Sequence, residues 1–531
     1  MRGALSTANR VKPFIIYGLM IVGMVLIYGV IRSYGEGLTA IAPAATSLFA
    51  NAAANTHASD LLHILAALVV VIATARLLGT VFKIVHQPAV IGEIIAGILL
   101  DPSLLGRIAP MAYAHLFPPE VAPFLNVIAQ VGVILYMFLV GLELDPTLLR
   151  KRGHATVAIS HTSIIVPFLL GAALALLLYP KLSSSEVPFT DFSLFLGVSM
   201  SVTAFPVLAR ILTDRRIHKT RMGALALTCA AVDDITAWCM LALVVGVAQA
   251  KGEDAAKTIA LALGFVALLI FAVRPAMARL SLMYGNRGRM TQGVMTLIFV
   301  ALLLSSLATE LIGIHAIFGA FALGAVIPHD SEMAREMTDR LEDLVVVLLL
   351  PAFFAYTGLR TQIGLVSGLG QWTICALIIV VASVGKFGGS ALAARLTGLN
   401  WRDASALGVL MNTRGLMELI VLNIGFEMGI ISPTLFAMLV LMALATTFAT
   451  TPILHLITRG EPIEATVEPT VQPASATGAE RGAILVPISN PGGVAALVEL
   501  ALAATPPDAP PPRVLALVRR PVGGAGPGVG A

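Results

Sequence analysis

Two adjacent carboxylates, Asp233 and Asp234, interrupt a long apolar stretch that runs from about Met222 to Gly246. A second stretch, Ala382-Ser383-Val384-Gly385-Lys386-Phe387-Gly388-Gly389, carries the one lysine that lies deep in an apolar run. In hydrocarbon an ionisable side chain costs at least ~2.5–3.5 kcal/mol, so an acid pair and a base in such places mark a functional site. An unpaired ammonium there must find a carboxylate or lose its proton, and Asp233 and Asp234 are its candidate partners. Neighbouring buried carboxylates disfavour joint ionisation, while a nearby ammonium or a bound cation opposes that effect. Protons and small cations therefore compete for the same oxygens. A hard monovalent cation wants oxygen ligands, and the Asp234 carboxylate, the Thr203 hydroxyl and unwound carbonyls around 202–205 can supply them.

The rest of the chain must hold these groups in a membrane. Of 531 residues, 57% are hydrophobic and only 12% charged, with mean hydropathy +0.91. A soluble domain does not need so much apolar surface, and no alternating ten-residue pattern suggests a barrel, so an all-α polytopic membrane protein is expected. The net charge is +4, and the cations cluster in loops. They read as topology signals rather than as a nucleic-acid surface, and no nucleic-acid partner is expected. Cys229, Cys239 and Cys375 lie in apolar segments without metal spacing and read as small core residues. There is no P-loop, zinc cluster or Gly-rich dinucleotide turn after a strand, so neither enzyme chemistry nor a cofactor is expected.

In chain order, Met1–Lys12 carries Arg2, Arg10 and Lys12 and no acid, and Pro13–Ile31 is apolar. This reads as a retained first transmembrane helix rather than a signal peptide. Thirteen further spans are expected near 60–80, 86–103, 122–143, 155–179, 190–212, 222–250, 256–273, 290–311, 313–328, 341–362, 371–396, 404–428 and 434–458. Lys83, Arg150 to Arg152, the Arg215–Arg221 cluster, Arg274, Arg279, Arg287, Arg289, Arg335, Arg340 and Arg402 then share one side, with few cations opposite. Positive-inside puts that side, and both termini, in the cytoplasm of a multi-pass cell membrane protein. The thirteen spans divide into six, a linker and six, so the second half enters from the opposite side, the inverted repeat of secondary transporters.

The helix breakers fall at matching places in the two halves. The fifth span of the first half holds Ser201-Val202-Thr203-Ala204-Phe205-Pro206, and that of the second holds Met411-Asn412-Thr413-Arg414-Gly415. Pro206 removes a backbone donor, and Asn412 and Gly415 weaken the other helix. Matched interruptions point to a binding site between the repeats. Arg414 and Glu418 are four apart and read as a structural pair bracing the broken helix. Glu93 is a candidate for an inner vestibule, and Glu310 and His315 lie in or beside spans. Gln130, Tyr136 and Glu143 read as packing and interface residues, and His161 as a satisfied histidine. A site exposed alternately to each side and never empty while crossing would exchange cations for protons. A proton- or ligand-gated cation channel, a sodium-coupled organic-anion symporter on a similar fold and a sensor acting through its tail are the alternatives.

Several stretches in order resemble the monovalent cation:proton antiporter-2 family, near the plant cation/H⁺ exchangers and their bacterial Kef-type relatives. They are QPAVIGEIIAGILLDPSLLG (87–106), GVILYMFLVGLELD (132–145), SVTAFPVLARIL (201–212), AVDD (231–234), GIHAIFGAFALG (313–324) and NTRGLMELIVLNIG (412–425). The resemblance covers about Ser59–Leu456. It implies an inverted-repeat fold with two crossed broken helices, a 13-helix core, a dimer, and K⁺ or Na⁺ exchanged for H⁺. It also implies that Asp234 carries ion and proton and that Asp233 is the partner of Lys386, in a salt bridge that breaks when the cation binds. Relatives differ in electrogenicity, so stoichiometry stays open. Asp101 departs from the family's usual Gly, and the N-terminal helix is extra to the core.

Four regions are expected: residues 1–58 as N-terminal helix and extracellular loop, 59–458 as the exchanger-type membrane domain, 459–481 as linker, and 482–531 as a cytoplasmic tail. In the tail, Gly482–Ile488 reads as a strand, Pro491–Ala504 as a helix and Val514–Val518 as a strand. This resembles the opening βαβ of a universal-stress-protein-like domain, partial because a lone βαβ cannot bury its sheet.

Overall fold

The computed structural model describes residues 2–40, 58–85, 87–118, 121–143, 154–214, 217, 220–249, 254–285 and 291–458. The expected linker and tail elements beyond 458 lie outside the described residues. Every regular element described is helical. The first half contributes α1 (Arg2–Gly35), α2 (Ala58–Ile84), α3 (Ala89–Leu99), α4 (Leu105–Ile108), α5 (Pro110–Leu116), α6 (Val121–Glu143), α7 (His154–Leu182), α8 (Phe189–Ser201), α9 (Phe205–Asp214) and α10 (Arg221–Gln249). The second contributes α11 (Asp254–Leu268), α12 (Arg274–Gly285), α13 (Gln292–Ile312), α14 (Ala316–Val326), α15 (Glu332–Leu344), α16 (Leu350–Arg360), α17 (Gly368–Leu396), α18 (Trp401–Met411), α19 (Leu416–Glu427) and α20 (Pro433–Thr458).

Among the described residues, 11 helices are long and apolar enough to cross a membrane, or 12 if the bent pair α18 and α19 counts as one. Helices stand at every expected span, but α3 and α14 have only 11 residues each. At ~16 Å they are shorter than the ~30 Å hydrocarbon core and do not cross it alone. Local chemistry trims both. Pro88 precedes α3, and Asp101-Pro102 follows it closely. Before α14, Gly313 (φ 90°) and His315 (φ 78°) turn the chain through the left-handed region. The span expected to begin at 341 instead starts at Glu332, because the Ser331 hydroxyl accepts the Ala334 amide at 3.1 Å and caps α15.

Two close approaches decide how the helices meet. A Cβ on Gly97 would lie 2.2 Å from the Ala355 carbonyl, so α3 and α16 touch backbone to backbone. A Cβ on Gly141 would lie 2.3 Å from the Phe321 carbonyl, which does the same for α6 and α14. Lipid offers no hydrophobic drive between helices, so such van der Waals contact carries their association. Helix α1 lies on α7 and α8, where the Tyr28 hydroxyl meets Ser193 Oγ at 3.0 Å and the Tyr28 ring tilts on Phe168. Cys229 and Cys375 are buried, as small core residues should be, whereas Cys239 is exposed on α10. Large apolar residues of α1, α2, α11 and α13 face outward, as a lipid-facing surface requires.

Candidate ion site at the paired helix breaks

Both expected interruptions are present, and they meet. The first lies at Val202–Ala204 between α8 and α9. The second lies at Asn412–Gly415, where α18 and α19 bend by 43°. The Ala204 amide donates to the Thr413 carbonyl at 3.0 Å, and the Thr203 hydroxyl reaches the Met411 carbonyl at 3.2 Å. Each break thus satisfies backbone groups that the other frees. Pro206 lies in the first turn of α9 and so starts that helix rather than interrupting α8. Gly415 is explained by contact, since a Cβ there would lie 2.7 Å from Val207 Cγ2.

The end of α8 carries two cations, Arg414 from the second break and Lys386 from α17. Arg414 donates from Nη1 to the Ser199 carbonyl at 2.9 Å and from Nη2 to the Met200 carbonyl at 2.8 Å. Lys386 donates to the next carbonyl, Ser201, at 2.5 Å. A helix C-terminus leaves carbonyls unpaired and carries the negative end of its dipole, so both cations are well placed there. The expected Arg414–Glu418 pair exists at 3.4 Å, with both side chains fully buried. Its guanidinium nevertheless makes its shorter bonds to α8, so Arg414 joins the two broken helices as well as bracing its own.

The acid pair is asymmetric. Asp233 accepts from Ser160 at 2.6 Å, Ser163 at 2.5 Å, Thr203 at 2.8 Å and Lys386 at 3.2 Å. Neither Lys386 nor Asp233 is exposed at all. Asp234 has one oxygen, Oδ1, that is buried without a hydrogen-bond partner among the described residues. The Phe205 amide, at the positive end of α9, serves its carboxylate. Asn412 Oδ1 and Thr413 Oγ1, in the break that bonds to Ala204, are bare in the same sense. These are oxygen donors of the type a dehydrated alkali cation needs. The Thr203 hydroxyl, expected beside Asp234, donates to Asp233 at 2.8 Å.

The other candidates separate. Glu93 is buried on α3 with Arg76, Arg210 and Lys83 as its charged neighbours. His161 Nδ1 bonds the Val157 carbonyl at 2.9 Å. Tyr136 lies near enough to Asp234 to sense its charge, while Glu143 is exposed at the end of α6. Glu310, His315 and Gln130 gather elsewhere. Asp101 is buried at the end of α3 and accepts the Leu104 amide at 2.9 Å. Sequence reasoning missed Ser160 and Ser163, although two serines three apart on an apolar helix share a face. It also missed Thr447, whose hydroxyl accepts the Arg414 amide at 2.9 Å and donates to the Arg414 carbonyl at 2.7 Å. The repeated Thr pairs 446–447 and 450–451 were the available signal. Thr447→Val should leave both backbone groups unpaired and cost about 1–3 kcal/mol for each. A fall in the melting temperature of the detergent-solubilised variant checks this, and an unchanged melt refutes it.

The fold and the site define a helical membrane protein with paired helix breaks around buried charge. Residues 64–459 match the family described as "Sodium/hydrogen exchanger, transmembrane". The Na(+)/H(+) antiporter NhaS4 of Synechocystis is 44% identical over 399 residues, covering 74% of this chain and 97% of that protein. Cation/H(+) antiporter 20 of Arabidopsis thaliana is 41% identical over 399 residues, covering 72% of this chain and 47% of that protein. The match thus takes in nearly all of the cyanobacterial relative and about half of the plant one. The solved sodium proton antiporter MjNhaP1 of Methanocaldococcus jannaschii shares the fold with a TM-score of 0.53 at 13% identity, over 76% of this chain and 98% of that one. The chain belongs to the sodium/hydrogen exchanger family.

Proposed function

We propose that the chain is a secondary antiporter that exchanges a monovalent cation, Na⁺ or K⁺, for protons by alternating access. The observation that carries this reading is the division of labour within the acid pair. Asp233 is held by four donors, whereas Asp234 keeps a bare buried oxygen beside the breaks. A buried carboxylate in that condition must take a proton or a cation, and the two exclude each other. Protonated Asp234 crosses neutral, and cation-loaded Asp234 crosses with its charge compensated. Lys386 and Asp233 keep the surrounding charge balanced, and the bare oxygens of Asn412 and Thr413 complete the cation's ligands. Protein and lipid bilayer are the only standing components, with the cation and proton as substrates. A homodimer in the cell membrane with both termini cytoplasmic completes this reading.

The energetics suffice. One pH unit supplies ~1.4 kcal/mol per proton, and 100 mV supplies ~2.3 kcal/mol per net charge. The test uses oriented proteoliposomes with an imposed acid interior and a pH dye, challenged in turn with Na⁺, K⁺, Li⁺ and an organic cation. Saturable proton release by one or two alkali cations is the expected result. Cation flux without coupled proton movement would favour a channel, and no response from verified protein would overturn the exchange reading.

A further inference from the structure

Where α13, α16 and α19 end, a second group of titratable side chains lies apart from the breaks. A small cleft of about 30 Å³ is lined there by Asn126 and Gln130 of α6, His315 before α14, Tyr356 of α16, and Asn423 and Glu427 of α19. Its carboxylate is clamped. Arg360 Nη1 donates to Glu427 Oε1 at 3.0 Å, and Gln130 Nε2 lies 3.5 Å from Oε2. The Arg360 guanidinium sits 4.5 Å above the Tyr356 ring. Asn423 donates to Thr357 Oγ1 at 3.0 Å and to the Leu419 carbonyl at 2.9 Å.

His315 is the exception. Its Nδ1 is buried without a hydrogen-bond partner among the described residues. It is also the only non-glycine residue with positive φ among the described residues, at 78°. A histidine in that region is strained and persists where the surroundings over-determine it. The turn is held by the Ile314 amide on the Thr309 carbonyl at 2.9 Å, and by Glu310, which accepts the Ala316 amide at 2.8 Å. The charged groups that face His315 are Glu310 from α13 and Glu427 from α19, with Arg360 and the Tyr356 phenol on α16. Helix α6 contributes only the neutral Asn126 and Gln130, and α10 brings the neutral Gln249 against Gly313.

We propose that this cleft is a second proton-binding site, in which His315 takes up the proton and Glu427 is its counter-charge. It loads protons on that side of the membrane before they reach the acid pair, and so rests on the exchange reading above. Imidazole is the side chain whose ordinary range straddles neutral pH. The neutral ring leaves Nδ1 idle. Gaining a proton makes both ring nitrogens donors and gives Glu427 a second cation besides Arg360. The clamp between α16 and α19 then loosens as the proton is taken up. Helix α19 also carries Glu418, nine residues or ~13 Å inward from Glu427, so cleft and breaks share one rigid element.

The test varies the pH on the cleft side of proteoliposomes at fixed pH on the other, comparing wild type with His315→Asn, His315→Gly and Glu427→Gln. Glycine adopts the backbone of His315 (φ 78°, ψ 136°) without strain, so it removes the imidazole and keeps the turn, while asparagine removes the imidazole and keeps a polar side chain. Wild-type exchange should change with cleft-side pH where the ring gains its proton. His315→Asn and His315→Gly should flatten that limb and slow exchange about tenfold, with cation half-saturation from the opposite side changed less than about twofold. Glu427→Gln removes the charge that favours imidazolium, so the limb should move to lower pH. Independently of transport, the pH dependence of diethylpyrocarbonate modification of His315, read by mass spectrometry, titrates the ring. Wild-type pH profiles in both His315 variants would overturn the proposal and leave the turn as the residue's only role, and so would an unreactive ring. A wild type without coupled exchange would overturn the exchange reading instead.

Discussion

Asp234→Asn is expected to abolish cation-dependent proton movement while leaving the protein folded. Asparagine keeps the shape and one acceptor oxygen but neither gains nor loses a proton near neutral pH, and it compensates no cation charge. Rates in proteoliposomes should fall at least ~100-fold, in the range that removal of an acid–base group commonly costs. The melting temperature should hold or rise. The bare Oδ1 anchors no neighbour among the described residues, and the amide oxygen of asparagine can still accept the Phe205 amide, so removing the charge relieves a desolvation cost of several kcal/mol. Activity lost together with folding would point to a structural role. Activity retained would shift the carrier role away from Asp234.

The second large effect is at the buried ion pair. Lys386→Gln and Asp233→Asn, made singly, each strand an opposite charge where neither side chain is exposed. Each should destabilise by about 3–5 kcal/mol. Lys386→Gln also weakens the cap on the Ser201 carbonyl, so α8 loses one of its two terminal cations. Made together, the substitutions remove both charges and leave Ser160, Ser163 and Thr203 with an amide oxygen to bond. The double variant should therefore recover much of the lost stability, with a coupling energy above ~1 kcal/mol in a double-mutant cycle. Additive losses would mean that the 3.2 Å contact contributes no pairing energy in the membrane. The double variant keeps Asp234, so its exchange rate also separates the ion carrier from the charge that balances it.

The two broken helices show what could be read from residues alone and what could not. Thr203-Ala204 and Asn412 to Gly415 sit at matched places in an apolar pattern, and both breaks occur there. Pro206 was read as a breaker because proline stops helices, yet in the first turn its missing amide costs nothing. The expected Asp233–Lys386 pair stands at 3.2 Å. Thr203 is expected among the cation's ligands, and its hydroxyl donates to Asp233 at 2.8 Å, a bond that leaves its oxygen lone pairs for a cation. Short α3 and α14 were read as spans because hydropathy registers apolar length and not where a helix ends. Arg414 was read through its i,i+4 neighbour Glu418, and its stronger bonds go to a helix more than two hundred residues earlier.

By itself the sequence determined a polytopic helical bundle with two interrupted spans and three midmembrane charges. Hydropathy, breakers and charge cost are local properties, and each can be read within one helix. Only the tertiary structure decided which carboxylate is occupied and which is bare. The donors on Asp233 come from 30, 70, 73 and 153 residues away, and no periodicity within a helix reports which face of another helix will meet it.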